Sequence, residues 1–200
     1  MSKNDNIFQT KQIYSLVNWD NSDKEEHTKI GCSLLNDNGF LITYQIRSKD
    51  KDSSYWYNKL TFYCAMTRMP VLVSVINTVI EDIKNDNFGK ERGLQSRNSE
   101  VYFPTKKSDG KLYIGCKLVS TKETKKEETF LFPTKVTEGM SEGLIQLKAM
   151  RDAIKNTFDR TSSSYSQQIK EYLEIKNNSE KSKKDNSSSN SSRKSSGHPF

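Results

Sequence analysis

The sequence predicts an α+β fold in which a β-sheet segment followed by one helix is written twice, ending in a disordered tail. Three observations predict it. Ile30-Gly31-Cys32 and Ile114-Gly115-Cys116 each open a strand-like run with leucine two positions on, at Leu34 and Leu118. Each run passes through more strand-like sequence into one amphipathic helical stretch. Residues 176–199 contain no Phe, Tyr, Trp, Ile, Leu or Val. Internal repetition sets a fold before any residue is assigned to chemistry.

Residues 13–19 read as a first strand, bounded by the turn-rich Asp20-Asn21-Ser22-Asp23. Residues 28–35 are a second, with Ile30, Cys32 and Leu34 on one face at period two. Asn36-Asp37-Asn38-Gly39 is a hairpin signal, because these residues tolerate positive φ. Residues 40–47 follow, with Phe40, Ile42, Tyr44 and Ile46 on one face and Leu41, Thr43, Gln45 and Arg47 on the other. A polar loop, 48–54, leads to a fourth strand over 55–66.

Pro70 suits a helix's first turn. Val71, Val75, Ile76, Val79 and Ile83 recur at helical spacing. β-Branched residues are poor helix formers, so tertiary packing must hold this helix. Residues 85–98, with Gly89 and Gly93, read as a polar linker. The second half shows three clear strands: 101–105, 111–119 and 129–136, with a turn at Ser108-Asp109-Gly110. In the middle one Leu112, Ile114, Cys116 and Leu118 face one way, and Lys111, Tyr113 and Lys117 the other. Residues 138–158 read as a helix with Leu144, Leu147, Met150, Ile154 and Phe158 as its apolar stripe.

These elements make residues 8–175 one domain. Its first repeat is 8–86 and its second 100–160, with an extra helix over 163–175. Residues 28–86 and 111–158 are expected to superpose. Residues 176–200 form a basic Ser/Asn-rich tail, with six cations against two carboxylates. Such a segment buries too little apolar surface to offset chain entropy.

The 200 residues carry a net charge of +7, which favours an anionic partner. Cys32, Cys64 and Cys116 lie in apolar runs without metal-like spacing, so buried free thiols are expected. That suits a reducing compartment, the cytoplasm, or a host's cytoplasm if the Asn/Lys/Ser-rich composition is that of a phage. No apolar run reaches the roughly 18 residues of a membrane span. Catalysis is not expected. His27 follows an acidic loop, His198 lies in the tail, and no Gly-rich phosphate loop is present. No metal or other cofactor is expected.

The residues with chemistry to offer are cations interleaved with aromatics. Cations neutralise phosphates and release counterions, and rings stack on unpaired bases. In the first half these are Gln45, Arg47, Tyr55, Trp56, Tyr57, Lys59, Tyr63 and Arg68. In the second they are Lys106, Lys107, Lys111, Tyr113 and Lys117, with Gly115 allowing close approach. Tyr63 continues the phase of Tyr57 and Lys59. Three consecutive aromatics at 55–57 cannot all point into a core from one strand. One arrangement puts Trp56 in the core. The other leaves these rings free for a ligand.

Four strands and a helix, then four strands and a helix (ββββα–ββββα), resemble the Whirly and Pur group of single-stranded nucleic-acid-binding proteins. The resemblance covers residues 8–160 and rests on element order and the Ile-Gly-Cys repeat. It implies two packed sheets, helices that brace them or mediate homo-oligomers, and single-stranded DNA or RNA as ligand. His198-Pro199-Phe200 is similar to the Pro-Phe tip of bacterial single-stranded-DNA-binding proteins, without their acidic residues. That likeness implies docking of Pro199 and Phe200 on replication or recombination proteins. The expected function is therefore sequence-tolerant single-stranded-DNA binding in replication, recombination or repair. A protein-interaction or regulatory module is the alternative, and an oligonucleotide-binding barrel the alternative fold.

Overall fold

The structure is a computed structural model that describes residues 10–18, 26–35, 39–48, 55–122 and 126–164. The turns at 20–23 and 36–38, the extra helix from 165 on, the basic tail and the Pro199-Phe200 tip lie outside the described residues.

The first compact unit ends at Phe158. It begins with an antiparallel sheet of four strands in sequence order: β1 (Thr10–Asn18), β2 (Glu26–Leu35), β3 (Gly39–Ser48) and β4 (Tyr57–Ala65). Alternation places Thr28, Ile30, Cys32, Phe40, Ile42, Tyr44, Ile46, Phe62 and Cys64 on the buried face. Between Tyr44 and Gln45 the β3–β4 register slips, because Tyr44 faces Leu60 while Gln45 faces Asn58. Lys59 is the extra residue of that bulge.

A 3-10 turn (Met66–Arg68) leads into α1 (Met69–Lys84), with Pro70 in its first turn. The helical reading of this β-branched segment holds, but its stripe is shifted. Leu72, Ile76, Val79, Ile80 and Ile83 are buried, while Val71 is exposed. The 72–76–79–83 spacing keeps one face toward the core, and Val71 falls a third of a turn off it.

The second sheet contains β5 (Arg92–Gln95), β6 (Ser99–Phe103), β7 (Thr105–Ser108), β8 (Lys111–Ser120) and β9 (Glu127–Leu131). β5 pairs with β6, so the stretch expected to be a linker supplies an edge strand. The sequence signal was weak there because Gly93 interrupts the alternation. Tyr102 explains the glycine. A Cβ on Gly93 would stand 2.3 Å from Tyr102 Cδ1. The ring lies across the bare backbone of its cross-strand neighbour.

β6 and β7 run end to end along one side of β8. Tyr102 faces Lys117 and Thr105 faces Ile114, the same register on both sides of Pro104. Proline has no N–H to give the ladder. Its carbonyl still accepts from the Gly115 N–H at 2.9 Å. The β7–β8 turn has positive φ at Asp109 (52°) and Gly110 (71°), as its sequence requires. β9 lies on the other side of β8. The strands thus form separate antiparallel sheets, and the barrel alternative is set aside.

Ile30-Gly31-Cys32 lies in the second strand of its sheet. Ile114-Gly115-Cys116 lies in the strand that follows β6–β7, the third course along the second sheet. The tripeptides share a local role, two core residues flanking an outward glycine, but not a strand position. The tripeptide therefore does not fix the register of a repeat.

β10 (Val136–Thr137) and β11 (Met140–Ser141) form a tight hairpin through Glu138 and Gly139, both at positive φ. The second helix, α2, consequently starts at 142 rather than 138. Gly143 allows that start: a Cβ there would be 2.7 Å from the Pro133 carbonyl oxygen. Leu147, Met150 and Ile154 are buried as their spacing implies, with Leu144 and Phe158 packed against the core. Helical residues continue to 158 in this unit, and in the second unit 159–164 are helical.

One core joins the inner faces of both sheets to α1 and α2. Phe130 and Phe132 meet edge to face at 5.6 Å. Tyr14 Oη donates to the Gln146 backbone oxygen at 3.2 Å, tying β1 to α2. All three cysteines are buried and unbonded. With both inner faces consumed by the core, the outer faces are where a ligand can meet a sheet.

Candidate nucleic-acid interface

The outer face of the first sheet follows from strand alternation. His27, Lys29, Gly31 and Ser33 of β2 face Arg47, Gln45, Thr43 and Leu41 of β3. Across the β3–β4 ladder lie Asn58, Thr61 and Tyr63. The four strands contain a single carboxylate, Glu26, which is in phase with the buried Thr28 and Ile30. The outer face therefore bears Lys29, Arg47 and Lys59 with no Asp or Glu among its described strand residues.

Trp56 is half-buried and absent from the core, so the core arrangement for this ring is corrected. Lys29 Nζ stands 5.6 Å from the centre of its ring. The same ammonium donates to Gln12 Oε1 at 3.4 Å. Gln45 Nε2 donates to Asn58 Oδ1 at 2.7 Å. These contacts link polar side chains across the outer face, with one indole beside the Lys29 ammonium. Tyr55 is 73% exposed and Tyr63 43%, both large rings in contact with water. Tyr57 is exposed too, but the bulge reverses its phase. It faces Ile46, a core-side residue, whereas Tyr63 faces the outward Leu41. Simple alternation from 57 to 63 misses this reversal, because an extra residue flips every side chain beyond it.

Several of the sequence-selected cations are occupied elsewhere. Arg68 donates to the Gln95 carbonyl at 2.6 Å, bracing the entry of α1 to β5. Lys107 is 3.0 Å from Asp86 and lies over the Phe88 ring. Lys117 does face outward beside Tyr102, but it is 3.1 Å from Glu127. That hydrogen bond raises its pKa above the usual lysine value. Glu91 and Glu100 line the same hollow. Tyr102 Oη donates to Glu100 at 2.8 Å, which pushes the phenol's pKa up. This end of the second sheet would repel a phosphate. Lys106, Lys111 and Tyr113 lie at the opposite end of β8, on the same outward face.

No protein-family model matches this chain, and no curated protein matches it. Among solved structures it is similar to one described as a guideRNA-binding protein complex bound to a gRNA. The TM-score is 0.49 at 10% identity, over 74% of this chain and 90% of the other. It is also similar to "trypanosoma bruciei MRP1/MRP2", with a TM-score of 0.42 and 11% identity over 72% and 84%. At such scores, function has to be sought on this chain's own surface.

Lys29, Gln12 and Asn58 were not among the residues selected from sequence. Lys29 could have been found. The period that buries Ile30, Cys32 and Leu34 puts Lys29 on the opposite face, two strands from the aromatic cluster. Its closeness to Trp56 could not be found, since it depends on how residues 55–56 cross the sheet.

Proposed function

We infer that the protein is a non-enzymatic single-stranded nucleic-acid-binding protein whose ligand crosses the outer face of the first sheet. Lys29, Arg47 and Lys59 meet phosphates. Trp56 and Tyr63 stack on unpaired bases, at roughly 1–3 kcal/mol per base. One observation carries this reading: the cations share a sheet face with the exposed Tyr63 and the half-buried Trp56, and the described strand residues of that face include no carboxylate. The second sheet, with Glu91, Glu100 and Glu127 around Lys117, offers the contrast. The mechanism implies little sequence preference, since every base has a π-face. A duplicated sheet-and-helix plan of the Whirly kind, with single-stranded DNA bound during replication, recombination or repair, is the fuller form of the proposal.

A mobility-shift titration tests it, using single-stranded and duplex oligonucleotides of DNA and of RNA across a salt series. Single strands bind more tightly than duplex, and affinity falls as salt rises. Equal affinity for both forms, or no binding at low salt, removes the reading. The DNA and RNA arms decide the sugar.

A second reading has its own support at the β10–β11 hairpin. Val136 and Met140 are exposed apolar residues there, and Ile145 is another in the first turn of α2. They suit a protein surface, either a second copy or another chain. Light scattering of the parent and of Val136→Ser/Met140→Ser separates a homo-oligomer from a monomer.

A further inference from the structure

A cleft of about 340 Å³ opens where the β7–β8 hairpin meets β9, at the end of β8 remote from the acidic hollow. Pro104, Lys106, Ser108, Tyr113, Gly115 and Leu131 contribute to its walls. Strand pairing explains the company. Lys106 faces Tyr113 across one ladder, and Gly115 faces Leu131 across the other. Gly115 keeps the floor low. A Cβ there would come within 3.1 Å of both Pro104 Cγ and Thr129 Cγ2. Leu131 is 50% exposed, an apolar side chain left open beside the Tyr113 ring.

Cations stand at the cleft and beside it: Lys106 lines it, and Lys111 follows on the same outward face, across the ladder from the lining residue Ser108. Lys106 and Lys111 are exposed, and neither joins an ion pair among the described residues. The single carboxylate of the hairpin strands and turn, Asp109, accepts a hydrogen bond from Ser108 Oγ at 3.2 Å. A volume of this size lies at the lower end of the roughly 300–1,000 Å³ usual for small-molecule sites. It suits one planar group. An apolar slot with a ring on one wall, one lysine in its lining and a second beside it on the same face matches a nucleotide, apolar face in and phosphate out.

We propose that this cleft is a subsite for one unpaired nucleobase, seated between Tyr113, Pro104 and Leu131, with its phosphate at Lys106 and Lys111. The proposal rests on the reading that the ligand is single-stranded nucleic acid, but it places a contact on the other sheet. Paired bases cannot enter, because their faces are already stacked, so the cleft adds preference for single strands. It supplies a discrete seat, whereas the outer face around Trp56 offers an open surface.

Fluorescence anisotropy of the full chain with a short oligothymidylate and with an abasic backbone of equal length tests the subsite. Tyr113→Leu and Leu131→Ser weaken oligothymidylate binding by about tenfold. Neither changes binding of the abasic backbone, which brings phosphates but no base. Thermal melts run beside each titration, and a variant that does not fold is replaced by Tyr113→Phe/Leu131→Ala. Folded cleft variants that bind oligothymidylate as the parent does overturn the subsite. So does an equal loss on the abasic backbone. Lys29→Gln/Lys59→Gln separates the two proposals. If that variant weakens binding while the cleft variants do not, the first-sheet interface stands and the subsite falls. If the parent binds neither ligand, both fall.

Discussion

The Lys29 ammonium lies 5.6 Å from the centre of the Trp56 ring, on the face of the first sheet that the core does not use. A cation over an indole is worth about 0.5–1 kcal/mol at an exposed site. The arrangement holds the ring out of the core and keeps a charge beside it, which is what a stacked base and its phosphate require.

Trp56→Ala is therefore a binding variant more than a stability variant. A half-buried indole costs about 1–2 kcal/mol on removal, against about 3–5 kcal/mol for a core tryptophan. Binding of a single-stranded oligonucleotide weakens by about tenfold while the melting temperature shifts little. Titration and thermal melt on the same sample check this. A cooperative loss of structure with unchanged binding by the remaining folded protein would return Trp56 to the core.

Lys29→Gln and Lys59→Gln each reduce the slope of log affinity against log salt by about 0.7, the value for one phosphate contact on a single strand. Lys117→Gln leaves the slope unchanged, because Glu127 already neutralises that ammonium. Titrations at several salt concentrations distinguish the two sheet faces. A larger slope change for Lys117 than for Lys29 would move the interface to the second sheet.

Gly93→Ala destabilises the protein by about 1–3 kcal/mol, as overpacking does. The new methyl would lie 2.3 Å from the Tyr102 ring and 2.5 Å from the Val101 carbonyl oxygen. Tyr102→Ala combined with it recovers part of the loss only, since the second obstacle is backbone. Denaturant melts of the three variants measure this.

Asp82 sets an acid limit. Its hydrogen bond from Arg92, 2.9 Å long, holds the carboxyl below the usual aspartate pKa. A carboxyl with a lower pKa in the folded state stabilises above its unfolded value, about 3.9. That contribution is lost as pH falls through the folded value. Asp82→Asn should therefore melt below the parent near pH 6, and the difference should vanish in strong acid. A gap that persists there would show the loss to be packing, not charge.

Burial pushes the Cys64 thiol up to about 11, and pushes Cys32 and Cys116 well above the ordinary thiol value. Thiolate is the reactive form. At pH 8 the native protein should resist alkylation by iodoacetamide at all three positions, and denaturant should expose them together. Mass spectrometry counts the adducts. Rapid native labelling of Cys32 or Cys116 would contradict their burial.

The sequence by itself determined the α+β class, most of the strands, and the inward face of β2, β3 and β8. Period-two burial in Ile30-Gly31-Cys32 and Ile114-Gly115-Cys116, and 3.6-residue spacing in Leu147, Met150 and Ile154, are local consequences of backbone geometry. Turn chemistry did the same for Asp109-Gly110. Tertiary structure decided the rest. The bulge at Lys59 turned Tyr57 to the opposite side from Tyr63, and Gly93 became a strand because Tyr102 covers it. Pro104 joined two segments into one course along β8. Most of all, the fate of each cation depended on its neighbours. Lys29 and Lys117 look alike in sequence, each between residues of a buried strand face. One stands by an indole on a sheet face whose described strand residues carry no carboxylate, and the other meets Glu127. Alternation fixes the side of a sheet on which a lysine stands. Only strand pairing and the course of the chain between strands fix the charge it meets there.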